Sequence, residues 1–496
     1  MAGSLAIPII WATFAAITAF YNIHLHPLAK FPGPQAACLS QKWLLAQSKT
    51  GKAEEVFERL HKEYGTQALR IGPNELHISD VSVYKTIYNQ TSPYLKAPDF
   101  YGAFGTPHTL FVEDDPAMHK ARRRMLNPFF SRGGILKIEP MIVAKIQRLL
   151  DRLETVRSAQ SINIYNAIRC VTVDIISEFA FGRTQGLTQT SDANFYGGFL
   201  VTFDAVATVI WDQAYRPYLR KILGAIPKAI TRRLSSEVAK ILDLALESEQ
   251  SLAAYRAALK ERTADDSAHA TIFDGLQELP SDQIVAEGVD ILTAGSDTTA
   301  LSVTMGLWHI SHNAKVRDKL VGALVEAIPD PTSFPSLVKL EEISYLTACV
   351  RESIRVAMAV PGRLPRVVPD YKKTNSAPLI VDGMIIPPGT VVGMSAYSMH
   401  SSEELWGPDA RSFNPDRWLG DGGKALDQHM VSFSKGLRSC IGQNLAYAEA
   451  TLLLAHLLRR YDVRLSPQSG DPVRMDNFTN AIREPGVLID LSKHDD

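Results

Sequence analysis

The chain has 496 residues, 46% of them hydrophobic and 21% charged, with a formal net charge of −1. That length can bury a substantial core, and the balanced charge excludes a basic surface built to neutralise nucleic-acid phosphates. The four cysteines, Cys38, Cys170, Cys349 and Cys440, are far apart; no CxxC pair or His/Cys cluster suggests structural zinc, and the bulk reads as a reduced-compartment protein with free thiols.

From Met1 to Ala29 there is no Asp, Glu, Lys or Arg, and residues 5–21 read LAIPIIWATFAAITAFY. With flanking residues this gives about 20 helical positions, enough for roughly 30 Å of hydrocarbon. A cleaved signal peptide usually carries a basic n-region, which is missing; a buried core helix is the remaining alternative. The favoured reading is a single membrane anchor with Tyr21 at an interface. Lys30, the first cation, follows it, so the positive-inside rule places the rest of the chain in the cytosol. There the glycosylation-like triplets Asn89-Gln90-Thr91 and Asn477-Phe478-Thr479 stay unmodified.

Phe31-Pro32-Gly33-Pro34 predicts a stiff connection that holds the body at a fixed angle to the membrane. Residues 40–65 have mixed helical character. Leu69–Ile71 and Glu75–Ile78, split by Gly72-Pro73-Asn74, predict a short hairpin. From about 115 to 260, apolar residues recur at helical spacing, as in Ile142, Ile146, Leu149 and Leu150. Within that stretch His119-Lys120-Ala121-Arg122-Arg123-Arg124 concentrates basic groups, as a solvated face or a patch for an acidic partner. Thr263–Thr271 predicts a polar loop.

Pro280-Ser281-Asp282 signals a helix start, with Ser281 as N-cap and Asp282 near the positive dipole end. No proline occurs from Ser281 to Ile328, so a helix running to about Asn313 spans roughly 45 Å, and its apolar content on most sides predicts burial. Its centre, Ala294-Gly295-Ser296-Asp297-Thr298-Thr299, is a poor local choice for a helix. Thr298 can open the backbone ladder by bonding within the helix, Gly295 leaves space, and Asp297 is costly to bury unless paired or useful. Glu352 and Arg355, three apart, share a helix face. Beyond Arg355 the texture turns to short β runs: Leu379–Val381, Met384–Ile386 and Val391–Met394. Leu445 to about Arg460 is helical again. The class is mainly α with a small β part.

The sharpest segment is Phe433-Ser434-Lys435-Gly436-Leu437-Arg438-Ser439-Cys440-Ile441-Gly442. A thiolate ligand to haem iron must stay anionic in a buried place. Gly436 and Gly442 let backbone approach a porphyrin, Arg438 can meet a propionate, and Phe433 can shield the sulfur. The helix from Leu445 turns its positive end toward the anion. An inert core thiol is the bland alternative. Every fixed position of FxxGxRxCxG is matched, and this resembles the signature of the cytochrome P-450 family.

The resemblance implies the cytochrome P-450 fold and a heme b whose iron is bound by Cys440. It implies that Glu352, Arg355 and Arg417, in Phe413-Asn414-Pro415-Asp416-Arg417-Trp418, form a buried structural cluster. Asp297 and Thr298 would relay protons to dioxygen. His119 stands where the family usually has Trp, and with Arg123 would contact a propionate; Arg366 matches another such position. Arg122 and Arg124 are then the candidates for docking an acidic reductase, and His400 is structural. The stretches 26–34, 127–131 and 363–369 are similar to fungal microsomal members of secondary metabolism, terpenoid oxygenases among them. The implied organisation is an anchor helix over 1–23, a proline-rich connection over 24–34, and a cytosolic haem-thiolate domain over 35–496, at the endoplasmic reticulum membrane.

The implied reaction converts a lipophilic R–H and dioxygen to R–OH and water, using electrons from a separate NADPH-cytochrome P-450 reductase; cytochrome b5 is a second candidate donor. The pocket is expected from residues 94–108, 290–298, 360–364 and 480–482, with Tyr101 and Phe104 as substrate walls or as packing. The rival functions are a peroxide-rearranging isomerase, which would not need Asp297 and Thr298, and a non-enzymatic haem-binding protein.

Overall fold

The computed structural model describes residues 2–157, 160–189, 192, 194–218, 222, 226, 230, 233, 236–261 and 270–494. The uncharged N-terminal run forms helix α1, Ala2–Phe20, and Ile9, Ile10, Trp11, Phe14, Ile17 and Phe20 are all exposed on it. Among the described residues no helix is long and apolar enough to cross a membrane. The connection after it is docked rather than loose. Pro32 O accepts from Arg70 N at 2.7 Å, and the fully buried Arg70 guanidinium donates to Asn22 O at 2.8 Å and Pro73 O at 2.7 Å. A side chain at residue 33 would stand 2.2 Å from Arg70 O, which is why Gly33 fits there.

The expected hairpin forms as β1, Ala68–Gly72, against β2, Glu75–Ile78. The sheet continues through β3, Leu95–Lys96, β4, Arg366–Val367, and β5, Val391–Gly393, in the spatial order β1-β2-β5-β4-β3. The register sets Lys96 directly opposite Arg366. A separate hairpin joins β6, Arg474–Asn477, to β7, Thr479–Ile482. Phe478 at its tip takes a left-handed φ of 75°.

Six helices position the site: α2, Pro116–Phe130; α3, Ile164–Phe181; α4, Phe199–Ala207; α5, Ser281–His312; α6, Ser344–Ala357; and α7, Gln443–Arg460. The 32 residues of α5 span about 48 Å. It packs on α3, α6 and α7, and its whole run from Thr299 to Leu307 is buried. Two expectations for it are corrected. Pro280, extended at ψ 144°, takes the N-cap position, so Ser281 is already helical; its hydroxyl accepts from Arg256 instead. The room left by Gly295 is used by α3, since a Cβ there would meet Ile176 Cγ1 at 2.6 Å. Of the expected polar loop, residues 263–269 lie outside the described residues, while Thr271 closes a capping box with Asp274.

The Glu352 cluster forms a closed network. Arg355 donates to both Glu352 oxygens at 2.8 Å, and both residues are fully buried. Arg417 Nε, Trp418 Nε1 and Asn414 N also donate to this carboxylate. Arg355 reaches the carbonyls of His400, Ala410 and Ser412. His400 accepts from Val431 N at 3.0 Å, and burial lowers its pKa to about 3, so the ring is neutral. The cluster is thereby tied to the segment just before Cys440.

Candidate active site

The loop to Cys440 is held by its own backbone and by α2. Cys440 N donates to Phe433 O at 2.9 Å. Arg123 Nη1 donates to Ser439 O at 2.6 Å and Leu437 O at 3.3 Å. Gly436 is needed for a reason other than porphyrin contact: its φ is 75°, and a Cβ would stand 2.3 Å from the Asn89 backbone. The Asn89 amide donates to Lys85 O and Thr86 O, so that triplet's side chain is a turn brace. Phe433 is half-buried, with its ring 5.4 Å from that of Tyr447.

Cys440 has exposed surface, yet burial is the largest effect on its thiol and pushes its pKa up. Both hold if that surface opens into the interior. The N–H groups of Gly442 and Gln443, with Arg123, act in the opposite direction and favour the anion. Gln443 begins α7, so the positive helix end lies at the sulfur as the sequence predicts. A second inward opening lies on α5, where Ala294 is exposed and Thr298 half-exposed beside buried neighbours.

Around His119 the chain gathers an excess of cations. Lys96 and Arg366 face each other across the β3–β4 ladder, an arrangement that is destabilising without a counter-charge. Arg366 Nη1 donates to the Tyr101 hydroxyl at 2.6 Å, which makes Tyr101 a brace for this arginine. Arg438 donates to the carbonyls of Glu113 and Asp114, and burial followed by Arg366 lowers its pKa to about 10. Lys96 donates to Phe111 O and lies 4.8 Å and 4.9 Å from the Tyr101 and Phe111 ring centres. His119 is 1% exposed, and its Nδ1 has no hydrogen-bond partner among the described residues. Burial and then Arg438, Lys96, Arg123 and Arg366 lower its pKa to about 3. A neutral donor amid cations fits an anionic group such as a pair of haem propionates. His119, Arg123, Arg366 and Arg438 are thus brought together, and Lys96 joins them. No motif marks Lys96 in the sequence; only strand pairing reveals it.

Asp297 is 2% exposed and forms an ion pair with Arg169 of α3 at 2.8 Å. Burial raises its pKa, and Arg169 opposes that rise. Thr298 Oγ1 donates to Ala294 O at 2.9 Å, the within-helix bond expected for it. Sequence reasoning missed Arg169, since nothing local links α3 to α5.

Farther along α5, Glu287 and Asp290 hold the loop after β3. Asp290 accepts from Thr106 at 2.6 Å and from Thr109. Glu287 accepts from Leu110 N at 3.1 Å. Burial raises these acids to about 8 for Glu287 and about 6 for Asp290. Arg122 is buried here, 3.6 Å from Glu287 and bonded to Gln283. It is therefore not a docking residue, whereas Lys120 and Arg124 are exposed. Phe104, Phe111 and Phe100 meet Phe478 of the β6–β7 tip at centroid distances of 4.7, 5.8 and 6.1 Å. Phe104 therefore belongs to an aromatic cluster, while Asn480 is engaged with Met358 O and Ala359 O.

The chain belongs to the cytochrome P450 family, whose model matches residues 31–489. It is similar to the cytochrome P450 monooxygenase macH of Penicillium terrestre, 33% identical over 94% of this chain and 93% of that protein. It is also similar to aneF of Aspergillus aculeatus, 29% identical over 95% and 96%, and to sdnE of Sordaria araneosa, 32% identical over 90% and 89%. Both are cytochrome P450 monooxygenases by name. The chain is an enzyme of this monooxygenase class, and the family implies haem iron held by a cysteine thiolate.

Proposed function

We propose that the protein is a membrane-anchored monooxygenase. It hydroxylates or epoxidises a small lipophilic secondary metabolite of the terpenoid class, with heme b bound at Cys440. The carrying observation is a thiol with exposed surface at the N-terminal end of α7, where two N–H groups and Arg123 oppose the upward push of burial, close to cations that outnumber their neighbouring acids. When bound, the haem iron supplies dioxygen activation, with electron donation from the thiolate. Lys96, Arg366 and Arg438 would neutralise the propionates, and the neutral His119 would donate a hydrogen bond to one of them. Arg123 fixes the carbonyls around Cys440, so the sulfur keeps its direction. Asp297 would supply the relay's carboxylate, and the Thr298 hydroxyl, which donates to Ala294 O, would have to turn from that bond to take part. The aromatic cluster of Phe100, Phe104, Phe111 and Phe478 supports an apolar substrate.

Electrons come from a separate NADPH reductase, with cytochrome b5 as a second donor, and the body lies on the cytosolic face of the endoplasmic reticulum. The uncharged, exposed face of α1 supports the anchor. The experiment is expression with a reductase and a panel of terpenoid and polyketide precursors under labelled dioxygen. One labelled oxygen atom in a terpenoid product is the expected outcome. Turnover with a hydroperoxide but none with NADPH and reductase would instead establish a rearranging isomerase. Deleting residues 1–23 should release the protein from carbonate-washed membranes; continued retention would sink the anchor.

A further inference from the structure

Arg169 lies on α3, outside every sequence motif of the site, and is 2% exposed. Its guanidinium serves two carboxylates on different helices. Nε donates to Asp297 Oδ1 at 2.8 Å, and Nη2 reaches Oδ2 at 3.2 Å. The same Nη2 donates to Asp204 Oδ1 at 2.5 Å, and Nη1 reaches Oδ2 at 3.3 Å. The Tyr165 and Phe203 ring centres lie 5.2 Å and 5.8 Å from the guanidinium carbon, so aromatic faces cover the cation.

Nη2 is shared between the two carboxylates, so a closer hold on one draws it away from the other. The two anions differ in how firmly they are mounted. Asp297 sits on α5, buried among α3, α6 and α7. Asp204 sits on the nine-residue α4, whose buried side chains are Phe199, Leu200 and Phe203. Its carboxylate is 36% exposed and is also held by the Tyr196 hydroxyl at 3.0 Å. Of the two, α4 is the easier to displace.

We propose that Arg169 is a positioning residue that couples α4 to the relay acid: its division between Asp204 and Asp297 sets how freely Asp297 turns toward Thr298. With α4 seated, Asp204 takes a share of the guanidinium and Asp297 is held less tightly. With α4 lifted, Arg169 falls wholly to Asp297 and fixes it away from Thr298. Proton delivery is then linked to closure of α4. The inference rests on the relay role proposed for Asp297 and Thr298.

The test uses the full-length haem-loaded protein. Its probe is carbon monoxide on the reduced haem, whose infrared stretch reports the field around Thr298 without substrate or turnover. Asp204→Asn should shift that stretch and speed amide exchange over residues 199–207 by at least about tenfold. In an Arg169→Gln background the shift from Asp204→Asn should vanish, since the connecting cation is gone. If Arg169→Gln does not give a thiolate-type carbonyl spectrum, Arg169→Lys takes its place; its three donors on one nitrogen cannot reproduce the planar fork that serves both carboxylates, so the shift from Asp204→Asn should shrink. An unmoved stretch in Asp204→Asn, or an equal shift with and without Arg169, overturns the proposal. Product formed per NADPH in Asp297→Asn tests the relay itself. If that ratio is unchanged while the infrared coupling is present, the relay reading fails and the mechanical link stands.

Discussion

Two buried clusters of charge are tied to the same cysteine loop and are finished to different degrees. Around Glu352 the acid meets two arginines, an indole N–H and a backbone N–H, and the arginines use their remaining donors on carbonyls. Around Lys96, cations stand beside one another with Tyr101, a few carbonyls and aromatic faces as neighbours, and Glu113, Asp114 and Asp290 are the acids close enough to oppose them. The first cluster is complete within the polypeptide, whereas in the second Lys96, Arg123, Arg366 and Arg438 outnumber the neighbouring acids Glu113, Asp114 and Asp290. Buried charge therefore has two meanings in this molecule: satisfied charge marks the frame, and unsatisfied charge marks the place of a ligand.

Opening the closed cluster should have the largest effect. Glu352→Gln leaves Arg355 without its anion, while Arg417 keeps Asp409 at 2.9 Å, and should cost about 3–5 kcal/mol. Thermal unfolding of the haem-loaded protein, with its carbonyl spectrum, reads this; a loss within experimental error would show the cluster to be dispensable. Relieving the open cluster should give opposite signs in two states. Burial, then Arg366 and Arg438, pushes the Lys96 pKa well below its usual range. Its folded pKa is depressed, so at neutral pH Lys96 opposes folding of the haem-free chain. Lys96→Met should stabilise the haem-free form by roughly 1–2 kcal/mol and speed haem loss to apomyoglobin. Destabilisation of both forms would refute the assignment.

A third test concerns the clasp on α5, which stands between the two extremes. Glu287 and Asp290 have folded pKa values raised above their unfolded ones, to about 8 and about 6, mainly by burial. Their contribution is fully present below the unfolded carboxylate range and is lost as pH rises through 6 and then 8. Unfolding temperature should fall across that window, and Glu287→Gln should flatten the upper part of the slope. An unchanged slope would place the charge of Glu287 elsewhere.

The sequence makes the closed cluster readable because its parts are local: Glu352 and Arg355 share one helical face, and Arg417 lies in a recognisable short segment. The same holds for Cys440, whose neighbours on the chain are its neighbours in space. What could not be read depends on pairing between distant segments. Lys96 is an ordinary lysine between Leu95 and Ala97 until the ladder sets it against Arg366. Arg169 acquires meaning only when α3 crosses α5, a crossing that Gly295 and Ile176 allow. In the run from His119 to Arg124 composition alone misleads, because successive side chains on a helix point about 100° apart. Arg122 accordingly turns inward to Glu287, while Arg124 stays outside.

Arg70 gives the molecule a mechanical property. Its guanidinium clamps the carbonyl of Asn22 to that of Pro73, and its own backbone grips Pro32 with no clearance above Gly33. A push or twist applied at Ala2–Phe20 therefore has no slack in which to dissipate before it reaches β1 and the sheet that carries Lys96 and Arg366. The first helix is mounted as a bracket rather than a leash, and its orientation is carried into that sheet.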